Sequence, residues 1–231
     1  MNKIFKASLA ALAVAFGASS TAHAGLFDFD PAEGGFYLSG FVGASFPSST
    51  EVDGVDLEFN DPTYFGGAIG ARLPFKYWKY FQPRLELEAS TFESDIGVDS
   101  SALDAGQSIS GDQDVKFYLI NNSSDFIWKE DQRFIPYFGG GIGIADYETN
   151  ITLSDVGGDI TVSSDDTGFA TVSTIGGTFK ATNQVDLYVE GRYLRTYGIN
   201  DDLENLQGDI AVDVDDDPQG FTLTVGTRIN F

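Results

Sequence analysis

The chain has no cysteine, and its single histidine, His23, lies near the N-terminus. The absence of cysteine excludes disulfide bonds, thiol nucleophiles and cysteine-ligated metals. Lys and Arg number only 13 against 35 Asp and Glu, which gives a formal net charge of −22. A chain this acidic is not expected to bind nucleic acid through counterion release, because that mechanism needs many Lys and Arg side chains.

The N-terminal residues have the pattern of a secretory signal peptide. Lys3 and Lys6 precede a short apolar stretch at residues 7–17, and Ala22-His23-Ala24 supplies small residues for cleavage. The stretch is too short to cross a bilayer as a helix. The alternative is a buried N-terminal helix of the mature fold, which this pattern disfavours. Cleavage after Ala24 removes the only histidine, and with it the usual general base and the commonest transition-metal ligand.

Apolar and polar residues alternate in most of the remaining chain. In residues 221–231, one alternate set is apolar and ends in an aromatic residue, whereas the other set is small or polar. A period of two predicts a β-strand with two different faces. The other predicted strands are residues 36–46, 64–73, 81–92, 115–123, 134–145, 169–179 and 185–197. After the signal, no apolar run is long enough for a membrane-spanning helix.

Eight strands joined alternately by long and short connections predict an all-β fold. We expect an eight-stranded antiparallel up-and-down transmembrane β-barrel, with apolar faces toward lipid and polar faces inside. About ten residues at ~3.3 Å each, tilted by ~40°, cover roughly 25 Å of hydrocarbon. Closure removes the sheet edges, as a bilayer requires. The predicted organisation is a cleaved signal peptide at residues 1–24, a periplasmic lead-in at 25–34 and the barrel domain at 35–231.

The two ends of the predicted barrel differ in charge. The long connections, at residues 47–63, 93–114, 146–168 and 198–220, hold 25 of the 35 acidic residues and no Lys or Arg. The short turns carry Lys76, Lys79, Lys129, Arg133 and Lys180. The turn at 75–80 is also aromatic, a mixture that suits a lipid headgroup interface. Two interpretations of the acidic loops stay open, since they could bind partners or could serve only solubility.

The inward strand faces are predicted to collect charged side chains. These are Arg72, Arg84, Glu86, Glu88, Lys116, Asp186, Glu190, Arg192 and Arg228. Positive and negative groups nearly balance, and an eight-stranded barrel is only wide enough for side chains to fill it. Buried charges must pair or stay hydrated, so we interpret the set as a structural salt-bridge core. An ion path, or carboxylate catalysis by Glu86 and Glu88, is the alternative.

Several motifs resemble the eight-stranded outer-membrane β-barrel family, which includes OmpX-like and opacity-type proteins and the barrel half of OmpA-like proteins. They are the signal peptide, Gly35-Phe36-Tyr37, the segments 84–88 and 136–143, and the terminal Phe231. The resemblance implies insertion into the outer membrane of a Gram-negative bacterium, with long loops extracellular and both termini periplasmic. It implies outer-membrane lipid and lipopolysaccharide as partners. It also implies that the barrel assembly machinery recognises the last strand through Leu223, Val225, Ile229 and Phe231.

The functions of that family are diverse. We expect a non-enzymatic surface protein whose acidic loops serve interaction, adhesion or envelope integrity, with an extracellular partner that the sequence does not name. The lipid A deacylase, phospholipase and aspartyl protease barrels use histidine, so their sites cannot be carried over to this chain. A small ion- or solute-conducting channel, as in OmpW-like barrels, is the alternative function. No organic cofactor is expected.

One acidic segment is a candidate calcium site. Asp213, Asp215, Asp216 and Asp217 offer hard oxygen ligands at closely spaced positions, as Ca²⁺ sites do. The segment lacks the glycine of an EF-hand loop, and Pro218 follows it directly. We expect Ca²⁺ to raise the protection of this loop from protease.

Overall fold

The alternating segments form eight long antiparallel strands. The computed structural model describes residues 35–47, 51–52, 55–98, 108–129, 131–155, 158–198, 201–202, 213–214 and 218–231. The eight strands are β1 (Gly35–Pro47), β2 (Val55–Arg72), β3 (Phe81–Val98), β4 (Ser108–Phe126), β5 (Phe134–Asp155), β6 (Gly158–Lys180), β7 (Val185–Tyr197) and β8 (Gln219–Asn230). Two-residue strands lie at Glu51–Val52, Asp201–Asp202 and Asp213–Val214. The predicted signal peptide and lead-in lie outside the described residues.

The sheet closes into a barrel, as the alternation predicts. From β2 to β8 each strand pairs with the next along the chain, and β1 pairs with both β8 and β2. Tyr37 of β1, for example, lies opposite Asn230 on one side and Gly70 on the other. Closure of this kind pairs the backbone groups around the whole circumference, which a sheet surrounded by hydrocarbon requires.

Apolar side chains cover the outer wall of the barrel. Phe36, Leu87, Ile142 and Val225 are each more than half exposed, and comparable Phe, Leu, Ile and Val residues project from every strand. The alternate positions point into the lumen, where Tyr37 is only 1% exposed. Among the described residues, no helix is long and apolar enough to cross a membrane. The apolar wall itself is the surface that faces lipid in a transmembrane β-barrel.

The strands extend further than predicted on the side of the long connections. β5 has 22 residues and β6 has 23, and they pair from Phe134↔Phe179 to Asp155↔Gly158. Most of the predicted loop at residues 146–168 is therefore strand, and the loop at 93–114 is strand at both of its ends. In the extension of β5 the apolar residues Tyr147, Ile151 and Leu153 share one alternate set and the other set is polar, so the extension lacks the apolar outer face that marks a strand in lipid. The sheet projects beyond the apolar wall.

Strand β4 presents the opposite face to the one predicted. Val115, Phe117 and Leu119 are buried in the lumen, whereas Tyr118 and Ile120 are exposed on the outer wall. Lys116, which was predicted to face inward, therefore points outward. The prediction was wrong because both alternate sets of β4 are apolar here, so the period of two does not identify the buried face.

The position of a charge relative to the apolar wall is testable with a pair of lysine substitutions. We expect Ile142→Lys to lower the free energy of unfolding by about 2–4 kcal/mol, the cost of a lysine on the lipid-facing wall. Ser163→Lys, on the projecting outer face, is the control and is expected to change it by less than about 0.5 kcal/mol. Urea unfolding in lipid vesicles measures the free energy of unfolding of both variants. Equal effects would contradict the assignment of Ile142 to the lipid-facing wall and of Ser163 to the sheet beyond it.

Candidate functional site in the barrel lumen

An ionic layer closes the lumen near the short turns. Arg72 donates through Nη2 to Asp186 Oδ2 at 2.6 Å and through Nη1 to Asn230 Oδ1 at 2.7 Å. Arg84 Nη1 lies 2.8 Å from Asp125 Oδ1, as an ion pair without hydrogen-bond geometry. Arg84 and Asp125 are almost completely buried. This layer joins the ends of five strands, β2, β3, β4, β7 and β8.

Three tyrosines of the lumen lie flat across glycines of the neighbouring strand. The directly opposed pairs are Tyr37 with Gly70, Tyr137 with Gly176, and Tyr188 with Gly226. A Cβ atom on Gly176 would lie 2.6 Å from the Tyr137 ring, and one on either of the other glycines would also overlap its tyrosine. Glycine at these positions lets each ring rest on the wall, which leaves the barrel axis to longer side chains.

Arginine side chains occupy the space above these rings. The guanidinium carbon of Arg228 lies 4.1 Å from the Tyr188 ring centroid, and that of Arg84 lies 4.5 Å from the Tyr137 centroid. A desolvated cation over an aromatic face is stabilised by about 2 kcal/mol. The hydroxyl of Tyr137 donates to Glu190 Oε2 at 2.8 Å. The faces of the Tyr137 and Tyr188 rings therefore contact arginines, and the hydroxyl of Tyr137 also contacts a carboxylate.

Glu88 is the best-connected carboxylate in the lumen. Arg192 donates to it through Nη1 at 2.9 Å and through Nη2 at 2.8 Å, a bidentate pair. Asn121 Nδ2 donates at 2.7 Å, Ser90 Oγ at 2.8 Å and the Tyr64 hydroxyl at 3.0 Å. These five hydrogen bonds come from β2, β3, β4 and β7. A carboxylate this buried is stable as an anion only with such a full set of donors.

The second carboxylate of the same strand is also engaged. Glu86 Oε1 accepts a hydrogen bond from the Tyr37 hydroxyl at 2.5 Å and lies 3.8 Å from Arg228 Nε. Glu86 and Glu88 are each less than 10% exposed. Both groups are held by neighbouring side chains, which favours a structural role over carboxylate catalysis.

An apolar plug fills the lumen on the side of the long connections. Its members are Tyr64, Phe92, Val115, Phe117, Leu119, Ala145, Tyr147, Ala170, Val172 and Leu194, with Phe41 packed against them. None of these ten is more than 9% exposed. Arg192 lies directly beneath, with its guanidinium carbon 5.3 Å from the Tyr64 ring centroid. An apolar layer therefore lies above the ion-pair layer in this section of the described lumen.

The structure brings together eight of the nine predicted lumen charges. The exception is Lys116, which pairs on the outer wall with Glu148 at 3.0 Å and with Asp114 at 3.3 Å. Sequence reasoning missed Asp125, which is 1% exposed and lies inside. One error explains both outcomes, because the face that buries Val115 also buries Asp125 and exposes Lys116.

The structure describes the candidate assembly residues but not the side chains of the candidate metal ligands. The side chain of Asp213 and all of Asp215, Asp216 and Asp217 lie outside the described residues, so the calcium site stays a prediction. Elsewhere in the described part of the chain, no group of three or more acidic residues is arranged to hold a metal ion. The proposed assembly residues all lie on the outer wall; they are Leu223, Val225, Ile229 and Phe231. Their recognition by the assembly machinery is untested.

A closed sheet with an apolar outer wall and a lumen filled by paired charges defines a transmembrane β-barrel with a structural interior. No protein-family model matches the chain, and no curated protein matches it.

Solved structures of outer-membrane proteins do match. The outer membrane protease OmpT from Escherichia coli is 12% identical, with 89% of this chain and 99% of that chain covered and a TM-score of 0.51. Neisserial surface protein A is 16% identical over 85% and 97% of the two chains, with a TM-score of 0.44. Ail of Yersinia pestis is 16% identical over 86% and 99%, with a TM-score of 0.42. At these identities the likeness shows the fold alone, and the fold is that of outer-membrane β-barrels.

The Glu88–Arg192 pair is testable by a double-mutant cycle. We expect Arg192→Leu to lower the free energy of unfolding by about 3–5 kcal/mol, because it leaves a buried carboxylate without its cation. Adding Glu88→Leu should restore much of that loss. Lys116→Leu, which breaks an exposed pair, should cost about 1 kcal/mol or less. Urea unfolding of the vesicle-embedded barrel measures the wild type, the Arg192→Leu and Glu88→Leu single variants, the double variant and the Lys116→Leu control. A loss for Arg192→Leu no larger than the control would contradict the assigned role.

The tyrosine–glycine pairs predict unequal effects of one methyl group. We expect Gly176→Ala to lower the free energy of unfolding by about 1–3 kcal/mol, because its new Cβ would overlap both the Tyr137 ring and the Val189 carbonyl oxygen, each at 2.6 Å. Gly40→Ala is the control, since the nearest atom to its new Cβ would be 4.0 Å away. The same unfolding assay compares the two, and equal stabilities would contradict the packing argument.

Proposed function

We propose that the chain is a non-enzymatic outer-membrane surface protein, in which the barrel is a sealed anchor and the acidic long-connection end carries interaction, adhesion or envelope integrity. The buried side chains and ion pairs that fill the lumen are the observation that carries this proposal. Any solute crossing the barrel would have to disrupt the bidentate Glu88–Arg192 pair and then enter the apolar plug. Separating that pair would leave two buried charges without partners, which opposes conduction.

The charge of the projecting sheet supports an interaction role. Four outward carboxylates stand directly opposite one another across adjacent strands, in the row Glu93–Asp114–Glu148–Asp165. Directly opposed side chains lie ~5 Å apart, and like charges in that position are destabilising. Lys116 contacts two members of the row, Asp114 and Glu148. A surface that retains such repulsion is suited to a cationic partner, which would relieve it.

The chemistry of the lumen supports the absence of enzyme activity. The chain after residue 24 contains no histidine and no cysteine. Glu86 and Glu88 are already hydrogen-bonded to Tyr37, Tyr64 and Arg192.

In the proposed orientation the acidic end is extracellular, both termini are periplasmic, and lipid and lipopolysaccharide surround the wall. The barrel assembly machinery would insert it.

The second candidate function, a small channel, is distinguished by conductance. We expect purified barrel in planar bilayers to show no discrete openings, because the lumen is filled through its whole width. A variant with the plug truncated, Phe117→Ala with Leu119→Ala, is compared on the same bilayers, and an open porin verifies the assay. Reproducible openings of the wild-type barrel would overturn the sealed-anchor proposal and favour the channel.

A further inference from the structure

The short-turn rim of the barrel is chemically uneven. One side of it, defined here as the aromatic–basic rim, lies on the β2–β3 and β4–β5 turns. Its members are Lys76, Trp78, Lys79, Tyr80, Trp128 and Lys129. Elsewhere the rim has the exposed rings of Phe179 and Phe231 and a lysine, Lys180, at the end of β6, but the third short turn itself, at residues 181–184, has neither an aromatic nor a charged residue. A feature that only seals the end of a lipid-facing wall would be expected all the way around the barrel.

The β2–β3 turn holds its tip in a conformation that disfavours ordinary side chains. Trp78 has φ 48° and Lys79 has φ 72°, and they are the two non-glycine residues with positive φ in the described chain. Hydrogen bonds between the backbones of Tyr77 and Phe81, at 2.9 and 3.1 Å, enforce the turn. Strain of this kind persists only where the surroundings determine it, and it clusters at functional positions. Trp78, in this strained conformation, is 81% exposed.

The neighbouring β4–β5 turn is fixed by a buried side chain. The amide of Gln132 accepts from the Trp128 backbone N–H at 2.9 Å and donates to the carbonyl oxygens of Phe126 and Phe134 at 3.0 and 2.6 Å. The two turns are joined by a hydrogen bond from Ile127 N–H to the Tyr80 carbonyl at 2.8 Å. The rim is therefore pre-organised, so little ordering entropy opposes binding.

The aromatic rings of the rim form one continuous surface. Phe81 and Phe126 have ring centroids 5.1 Å apart, and Trp128 continues the cluster 5.2 Å beyond Phe126. Lys79 extends over the Tyr80 ring, with its Nζ 5.6 Å from the centroid. The β2–β3 turn contains no acidic residue, whereas the β4–β5 turn carries Glu130 and Asp131 beside Lys129 and Arg133. Aromatic rings and ammonium groups together match an acyl–headgroup boundary that carries negative charge.

We propose that the aromatic–basic rim is a binding surface for anionic phospholipid headgroups, confined to the β2–β5 side of the barrel. The tryptophan rings insert at the boundary between acyl chains and headgroups. The ammonium groups of Lys76, Lys79 and Lys129 contact the phosphate oxygens of neighbouring anionic lipids. This surface acts on the bilayer itself and does not depend on what the acidic end of the barrel binds.

The chain provides its own probe, since Trp78 and Trp128 are its only two tryptophans. The folded barrel is placed in phosphatidylcholine vesicles that contain an equal mole fraction of brominated phosphatidylglycerol or brominated phosphatidylcholine. Bromine quenches tryptophan on contact. We expect about twofold stronger quenching by the anionic lipid, and loss of that preference at about 1 M salt, where the Debye length is ~3 Å. Trp78→Phe and Trp128→Phe assign the signal to each turn.

A matched pair of charge variants tests the mechanism. Lys79→Gln with Lys129→Gln removes two charges beside the tryptophans, and we expect the preference to disappear. Lys116→Gln with Lys180→Gln removes the same net charge elsewhere and should leave it intact. Equal quenching of the wild type by the two lipids would overturn the proposal, as would a preference that survives in the first variant or disappears in the second.

Discussion

Hydrocarbon neither donates nor accepts hydrogen bonds, and this constraint determines where every charged side chain of the strands can lie. Because side chains alternate along a strand, a wall that is apolar outside must send the other half of its residues inward. Eight strands enclose a lumen only wide enough for side chains, so the enclosed charges meet each other and not bulk water. The Glu88–Arg192 pair, with three further donors on the carboxylate, is the direct result.

The tyrosine–glycine pairs show how the limited width is shared. A guanidinium needs an axial position to reach carboxylates on several strands, and a tyrosine that pointed straight inward would occupy that position. Glycine on the neighbouring strand lets the ring fold onto the wall, as Tyr188 does on Gly226. Arg228 then stacks on the ring and donates through Nη1 to Thr178 Oγ1 at 2.8 Å. The glycines of the wall therefore make room for the arginines that pair the buried carboxylates.

The sequence predicted the barrel because the bilayer enforces a period of two, and it failed where the bilayer stops or where both faces are apolar. The end of β5 has a polar outer set, so a prediction that requires an apolar outer face stops the strand before the pair Asp155↔Gly158. In β4, Val115 on the inner face and Tyr118 on the outer face are both apolar, so the apolar period does not distinguish the faces. The prediction that Lys116 points inward therefore reversed the two faces. The hydroxyl and amide partners of Glu88, from Tyr64 and Asn121, depend on cross-strand register, which alternation within one strand does not specify.

Because the lumen is filled by paired side chains, the surfaces of this protein that remain for binding lie at the two ends of the barrel. The ends have opposite character, since opposed carboxylates line the projecting sheet while lysines and tryptophans line the short turns. A rigid barrel holds these surfaces at a fixed separation, because strands cannot slide without breaking Glu88, Asp125 and Asp186 from their arginines. The buried ion pairs therefore have a consequence beyond stability: they fix the register that sets the depth of each end relative to the bilayer.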